Sequence, residues 1–370
     1  MECPHIPIIP YHKFSERIHN KAVSERIPLG GVIEPTLRCN LKCAHCYVAY
    51  DPMAKEMTYE EICHILDEIT EAGCLWLLLT GGEPLVRDDF IDIYTYAKKK
   101  GLIITLFTNG TLITPQIADY LKEWPPFSVE ITLYGITKET YEKVSGVPGS
   151  LQRCQKGINL LLERKIPLTL KTMVMTLNKH ELWDIKKYVE DLGLEFTFDA
   201  ILNPKLDGSR QPCRLRITPE EVVKLDLADK NRIKAYKELC ENFWGPPGTD
   251  KLYACGGGLI SFHIDPYTNL SLCILSRSPN YNIRKGSFQE GWYDFIPRVR
   301  AQKLKGEYRC AECELYSLCG QCPGWAQLEN GDPESPVEYL CQIAYLRAET
   351  LGLKAKSQIK REEITVFNRR

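Results

Sequence analysis

Between Gly31 and about Ala200 the chain alternates short apolar runs with stretches of helical period, six times over, and this rhythm constrains its fold more than any other feature. The runs are Val32–Glu34, Leu75–Leu79, Leu102–Phe107, Phe127–Leu133, Leu168–Val174 and Glu195–Asp199. The intervening segments carry helix signals. Thr58 and Glu61 form a capping-box pair ahead of Ile62, Ile65, Leu66 and Ile69, and Gly73 ends that helix. A second helix over 89–100 stops at Gly101, and Thr114-Pro115 places a cap before proline at the first helical position. Further helices follow Thr137, span Leu151–Arg164, and start at Asn178, with Glu181 three residues on. Strand–helix repetition implies parallel pairing with right-handed crossovers. Six units fall short of the eight that close a complete barrel. The expected fold is therefore α/β, a partial (β/α)6 barrel whose open mouth admits a large substrate.

After Ala200 the pattern changes. Residues 203–212 read as a loop, and Thr218 with Glu221 caps a bridging helix to about Leu227. Another helix covers 231–243, and Gly-Pro-Pro-Gly at 245–248 is a linker. From Tyr253 to Cys341 the sequence is Cys-rich and loop-rich, with a strand pair at 259–264 and 270–273. The predicted division is an arm (1–30), the barrel (31–205), a bridge (206–250), a Cys-rich domain (251–345) and a charged tail (346–370). The arm is too short for a folded peptide-recognition domain.

A formal net charge of −1 offers no global field for nucleic acid or an anionic membrane. No apolar run reaches the roughly 20 residues of a membrane helix, and the N-terminus lacks the regions of a signal peptide. These features predict a cytoplasmic protein. Sixteen cysteines then read as metal ligands and not disulfides, because thiols stay reduced in that compartment.

Cys39-x3-Cys43-x2-Cys46 follows the first strand, at the end where barrels build active sites. Three thiolates can hold three irons of a [4Fe–4S] cubane and leave the fourth for an external ligand. A zinc site lacking one partner is the bland alternative. With Tyr47 after the last cysteine, the motif resembles the signature of the radical S-adenosylmethionine (SAM) superfamily. Gly81-Gly82-Glu83-Pro84 ends the second strand like that family's SAM-amino motif. Thr108 and Asn109 end the third strand, and Thr132 lies in the fourth, where the family places SAM-contacting hydroxyls. The resemblance implies SAM bound to the open iron, a flavodoxin- or ferredoxin-type reductant, and a 5′-deoxyadenosyl radical that takes hydrogen from substrate.

Cys310-x2-Cys313-x5-Cys319-x2-Cys322, then Cys341, with Cys255 and Cys273 upstream, resembles the SPASM extension of that superfamily, which holds two auxiliary [4Fe–4S] clusters. The resemblance implies Cys310, Cys313, Cys319 and Cys341 at the cluster farther from SAM, and Cys255, Cys273 and Cys322 at the nearer one. That makes three clusters in all. Three departures stand out. Thr268 occupies the usual hairpin glycine, two residues rather than three precede Cys322, and no cysteine follows Cys255 closely. The nearer cluster then has an open iron, or takes Cys213 or Cys240. A zinc knuckle explains the paired spacing but not seven cysteines in this order. Cys63, Cys74 and Cys154 read as buried structural thiols, Cys3 has no reading, and 298–305 is a basic solvated face or a contact for an acidic leader peptide.

SPASM-containing enzymes mostly modify ribosomally made peptides or protein side chains. The implied substrate is a precursor peptide, bound directly or through a separate recognition protein. Ile274 stands where the sulfatase-maturing branch has aspartate. A small molecule such as a tetrapyrrole, sugar or alcohol is the alternative. A non-catalytic Fe–S electron carrier is a third reading, opposed by Gly81–Pro84. Asp199 is a pocket candidate or a solvated loop carboxylate.

Overall fold

Nine strands form one sheet in the order β6-β5-β4-β3-β2-β1-β7-β8-β9, and the computed structural model describes residues 11–353. The first six are β1 (Gly30–Thr36), β2 (Trp76–Gly81), β3 (Ile103–Thr108), β4 (Ser128–Thr132), β5 (Leu168–Met173) and β6 (Phe196–Asp199). All neighbours among them are parallel, as six strand–helix units require.

β7 (Ser261–Ile264), β8 (Asn269–Ser271) and β9 (Tyr281–Asn282) belong to the Cys-rich half, yet they extend the same sheet. β7 lies parallel to β1, and β8 and β9 fold back antiparallel. A Cβ on Gly31 would sit 2.2 Å from the Phe262 ring, so glycine there lets the two strands meet. The Cys-rich half is thereby held against the strand that leads into Cys39.

Period-two alternation divides the barrel strands. Ile33, Leu77, Leu79, Ile104, Leu106, Val129, Ile131 and Leu170 are buried under Ile62, Leu66, Ile69, Phe90, Ile93 and Leu161 of the outer helices. Each such side chain contributes about 1.5–3 kcal/mol relative to exposure. The opposite face carries Glu34, Thr80, Glu130, Thr132 and Lys171, a polar lining unlike that of a packed core.

Both capping boxes form, at Thr58/Glu61 and Thr218/Glu221. Glu61 also takes Arg284 Nε at 2.7 Å across the two halves, and that hydrogen bond holds its carboxyl down at about 2. Asn178 does not cap as expected. Its amide accepts from Met175 N and donates to Tyr134 and Met173 carbonyls. Glu181 turns to the Ile136 and Thr137 amides, so a 3-10 turn (Lys179–Glu181) precedes the helix Leu182–Asp191. Tertiary partners for these two buried side chains outcompete the local cap.

Helices Tyr11–Glu25, Pro323–Asn330 and Glu338–Thr350 were not foreseen. The last packs beside the bridge through a buried ion network, with Arg347 Nη2 at 2.8 Å and Arg232 Nη1 at 3.1 Å from Asp226. Arg216 grips Glu329 through both nitrogens in the same way. The tail from 354 onward and Cys3 lie outside the described residues. No helix among the described residues is long and apolar enough to cross a membrane.

Candidate active site at the mouth of the barrel

The chain leaving β1 is clasped by the Gly-Gly-Glu turn before it reaches Cys39. Gly82 N donates to Thr36 O and Glu83 N to Arg38 O, each at 2.9 Å. Gly81 has φ +119°, and a Cβ on Gly82 would lie 2.2 Å from Arg38 O. Only glycine allows this approach. Glu83 is fully buried, and its carboxylate accepts from Thr108 Oγ1 (2.8 Å), Asn109 N (2.7 Å) and Leu85 N (3.1 Å). Burial outweighs these bonds and pushes its pKa up to about 7. Glu83 thus ties the ends of β2 and β3 together, and buried Pro84 opens the 3-10 turn that it caps. Asn109 Nδ2 donates to Asn40 Oδ1 at 2.9 Å and lies 3.9 Å from Cys39 Sγ.

Cys39, Cys43 and Cys46 are close enough to influence one another's ionisation. Burial pushes Cys39 up to about 11, Cys43 up to about 12, and Cys46 upward as well. Loading iron here must displace thiol protons. The sequence reading missed His45, inside the motif. Its ring meets Tyr134 edge-on at 5.0 Å, its Nδ1 is buried without a hydrogen-bond partner, and burial lowers its pKa to about 4. A flat side chain between the second and third cysteines was the available signal. Tyr47 lies beyond the cysteines, half-buried near Glu34 and Arg277. Thr132 ends β4 beside Lys171, which pairs with Glu130 at 2.9 Å over the Phe107 ring.

The Cys-rich half brings its cysteines into two further groups. Cys255, Cys273 and Cys322 influence one another. The Ser276 amide donates to Cys273 Sγ at 3.4 Å, and the Gly324 and Trp325 amides serve Cys322. Arg300 donates to the carbonyls of Cys255 (2.9 Å), Tyr253 (3.3 Å) and Gly257, bracing this loop. It is therefore not part of a solvated basic face. Thr268 has φ +67°, the left-handed conformation a hairpin glycine would adopt. Cys310, Cys313, Cys319 and Cys341 line one cavity with Tyr316 and Gln321.

Cys213 lies among Arg216, Glu329 and Arg210, and Cys240 is buried in a core with Leu315, Leu318 and Cys319. The thiols that act on Cys273 and Cys322 are those of Cys255 and Cys273, while Cys240 shares its core with Cys322. Cys63, Cys74 and Cys154 are buried. Asp199 borders a separate cavity with Tyr236 and Arg232, and its Oδ1 accepts from Ile201 N. Among the described residues no three His, Cys, Asp or Glu side chains are gathered tightly enough to hold a single metal ion. Thiols with main-chain amides aimed at sulfur suit iron–sulfur clusters, whose potentials such hydrogen bonds tune.

The fold and the first thiol group define the class: an open α/β barrel with three neighbouring thiols beyond the C-terminal end of its first strand. Residues 33–190 match the sequence model of the Radical SAM superfamily, so this part of the chain is a radical SAM domain. The chain is 26% identical over 341 residues to the AdoMet-dependent heme synthase of Methanosarcina barkeri, covering 81% of this chain and 92% of that one. It is 29% identical over 310 residues to the antilisterial bacteriocin subtilosin biosynthesis protein AlbA of Bacillus subtilis, covering 80% and 67%. In fold it resembles Streptococcus suis SuiB bound to precursor peptide SuiA, with TM-score 0.67, 17% identity, and 92% and 84% of the two chains covered.

Proposed function

We propose that the chain is a peptide-modifying radical SAM oxidoreductase with three [4Fe–4S] clusters, held by Cys39/Cys43/Cys46, by Cys255/Cys273/Cys322 and by Cys310/Cys313/Cys319/Cys341. The carrying observation is the gathering of ten cysteines into three groups, the first at the barrel mouth and the others in the half that β7 joins to β1. SAM on the first cluster would supply radical chemistry for hydrogen abstraction, and auxiliary clusters held by the other two groups would take up the electron that a net oxidation releases. Gly81 and Gly82 let the backbone approach the ligand, while Glu83 positions Thr108 and Asn109. His45, uncharged at neutral pH, offers a flat face beside the first thiols, and Thr132 offers a hydroxyl at the end of β4. A strand edge left open at β6 gives room for a chain-like substrate.

Likeness to AlbA and to peptide-bound SuiB supports a peptide. The heme synthase similarity spans more of its relative's length and favours a second reading, a tetrapyrrole. The test incubates the reconstituted enzyme with SAM and dithionite, adding either the peptide encoded by a short reading frame beside this gene or iron-coproporphyrin III. Peptide-dependent 5′-deoxyadenosine with a mass change on the peptide supports the first reading. Conversion of the porphyrin alone supports the second and overturns the first.

A further inference from the structure

Glu34, His263 and Arg277 form a charged cluster that none of the expected cofactor contacts explains. Glu34 on β1 and His263 on β7 are both fully buried. Arg277 Nη2 lies 2.9 and 2.8 Å from the two oxygens of Glu34. His263 Nε2 lies 3.2 Å from Glu34 Oε2 without hydrogen-bond alignment, and its Nδ1 is 2.9 Å from Ser271 Oγ. Arg277 follows Cys273 by four residues, and its Nε donates at 3.0 Å to Ile274 O, the carbonyl next to that cysteine. The cluster therefore stands between two thiol groups. Tyr47, adjacent to Cys46, feels both Glu34 and Arg277, and Cys273 feels Arg277 from the other side.

Such a network also works as a strut between β1 and the hairpin. A strut alone needs no charge, because apolar side chains of similar volume often do as well or better than a buried ion pair. Charge matters for what lies beside it. Net charge and hydrogen bonding around an iron–sulfur cluster set its reduction potential, and a nearby cation favours the more negative, reduced form.

We propose that Arg277, oriented by Glu34, sets the reduction potential of the nearer auxiliary cluster, the guanidinium favouring its one-electron reduced state and Glu34 limiting that effect. The proposal rests on the assignment of Cys255, Cys273 and Cys322 to that cluster.

Dithionite-poised titration of the reconstituted full chain, followed by electron paramagnetic resonance, tests it with a readout independent of turnover. Arg277→Gln should shift one auxiliary signal to more negative potential, Glu34→Gln should shift the same signal to more positive potential, and Arg277→Lys should stay near the parent. Opposite signs are not expected of a strut, whose loss in either variant would disturb the site in the same way. Shifts of the same sign, or no shift, overturn the proposal. Should Glu34→Gln not fold, the Arg277→Lys and Arg277→Gln pair decides alone, and equal potentials in the two refute it. A parent protein with no second auxiliary signal would instead overturn the cluster assignment.

Discussion

Glu83 and Asn109 are joined by a 2.7 Å hydrogen bond from backbone amide to buried carboxylate, and through Asn109 and Asn40 that bond reaches the side of Cys39. Glu83 is thus a positioning residue that holds the end of β3 against the cysteine loop. Glu83→Ala leaves the Thr108 hydroxyl and the Asn109 and Leu85 amides without their acceptor, at about 1–3 kcal/mol per unsatisfied group. SAM binding should weaken at least tenfold while iron content stays at the parental level. Equilibrium binding of SAM, with iron assayed on the same sample, checks both.

The same carboxyl predicts a pH dependence. Its folded pKa of about 7 lies above the ordinary 4.5, so the folded chain holds the proton more tightly than the unfolded one. Its stabilising contribution is complete below about 4.5 and is lost as pH rises through about 7, at most about 3 kcal/mol in all. Urea unfolding of the cluster-free chain at pH 5.5 and 8 should show this loss. Glu83→Gln should flatten the profile, and an unchanged slope would count against the assignment.

Gly82→Ala places a methyl group 2.2 Å from the Arg38 carbonyl, and backbone must move to admit it. Overpacking of this kind costs about 1–3 kcal/mol. The expected outcome is a lower melting temperature together with loss of SAM cleavage, both read on one preparation. Normal cleavage would show that the clasp is dispensable.

Arg300→Met removes the donors that hold the carbonyls of Tyr253, Cys255 and Gly257. The variant should lose about four irons, those of the nearer auxiliary cluster, and retain uncoupled SAM cleavage. Mössbauer quantification alongside a 5′-deoxyadenosine assay distinguishes this from general unfolding.

The barrel was legible because short apolar runs repeat between stretches of helical period and two of its helices announce themselves at Thr58 and Thr114, each of which caps as read. Asn178 failed as a cap for a reason the local sequence does not hold, since its partners Tyr134 and Met173 belong to strand ends. The continuation of the sheet into β7 was equally hidden. It depends on Gly31 meeting Phe262, residues far apart in the chain. In the site, cysteine spacing was informative, because short loops bring their thiols together whatever surrounds them. His45, Arg300 and the Glu34–Arg277 pair were invisible because single polar residues acquire meaning only from what folds against them.

Iron, acid-labile sulfide and zinc, determined together on the anaerobically reconstituted chain, test the central claim most directly. The three thiol groups predict about twelve iron and twelve sulfide per chain with zinc absent. Replacing Cys39, Cys43 and Cys46 together with Ala should remove about four irons and abolish SAM cleavage. Stoichiometric zinc with only about four irons in the parent protein would contradict the account.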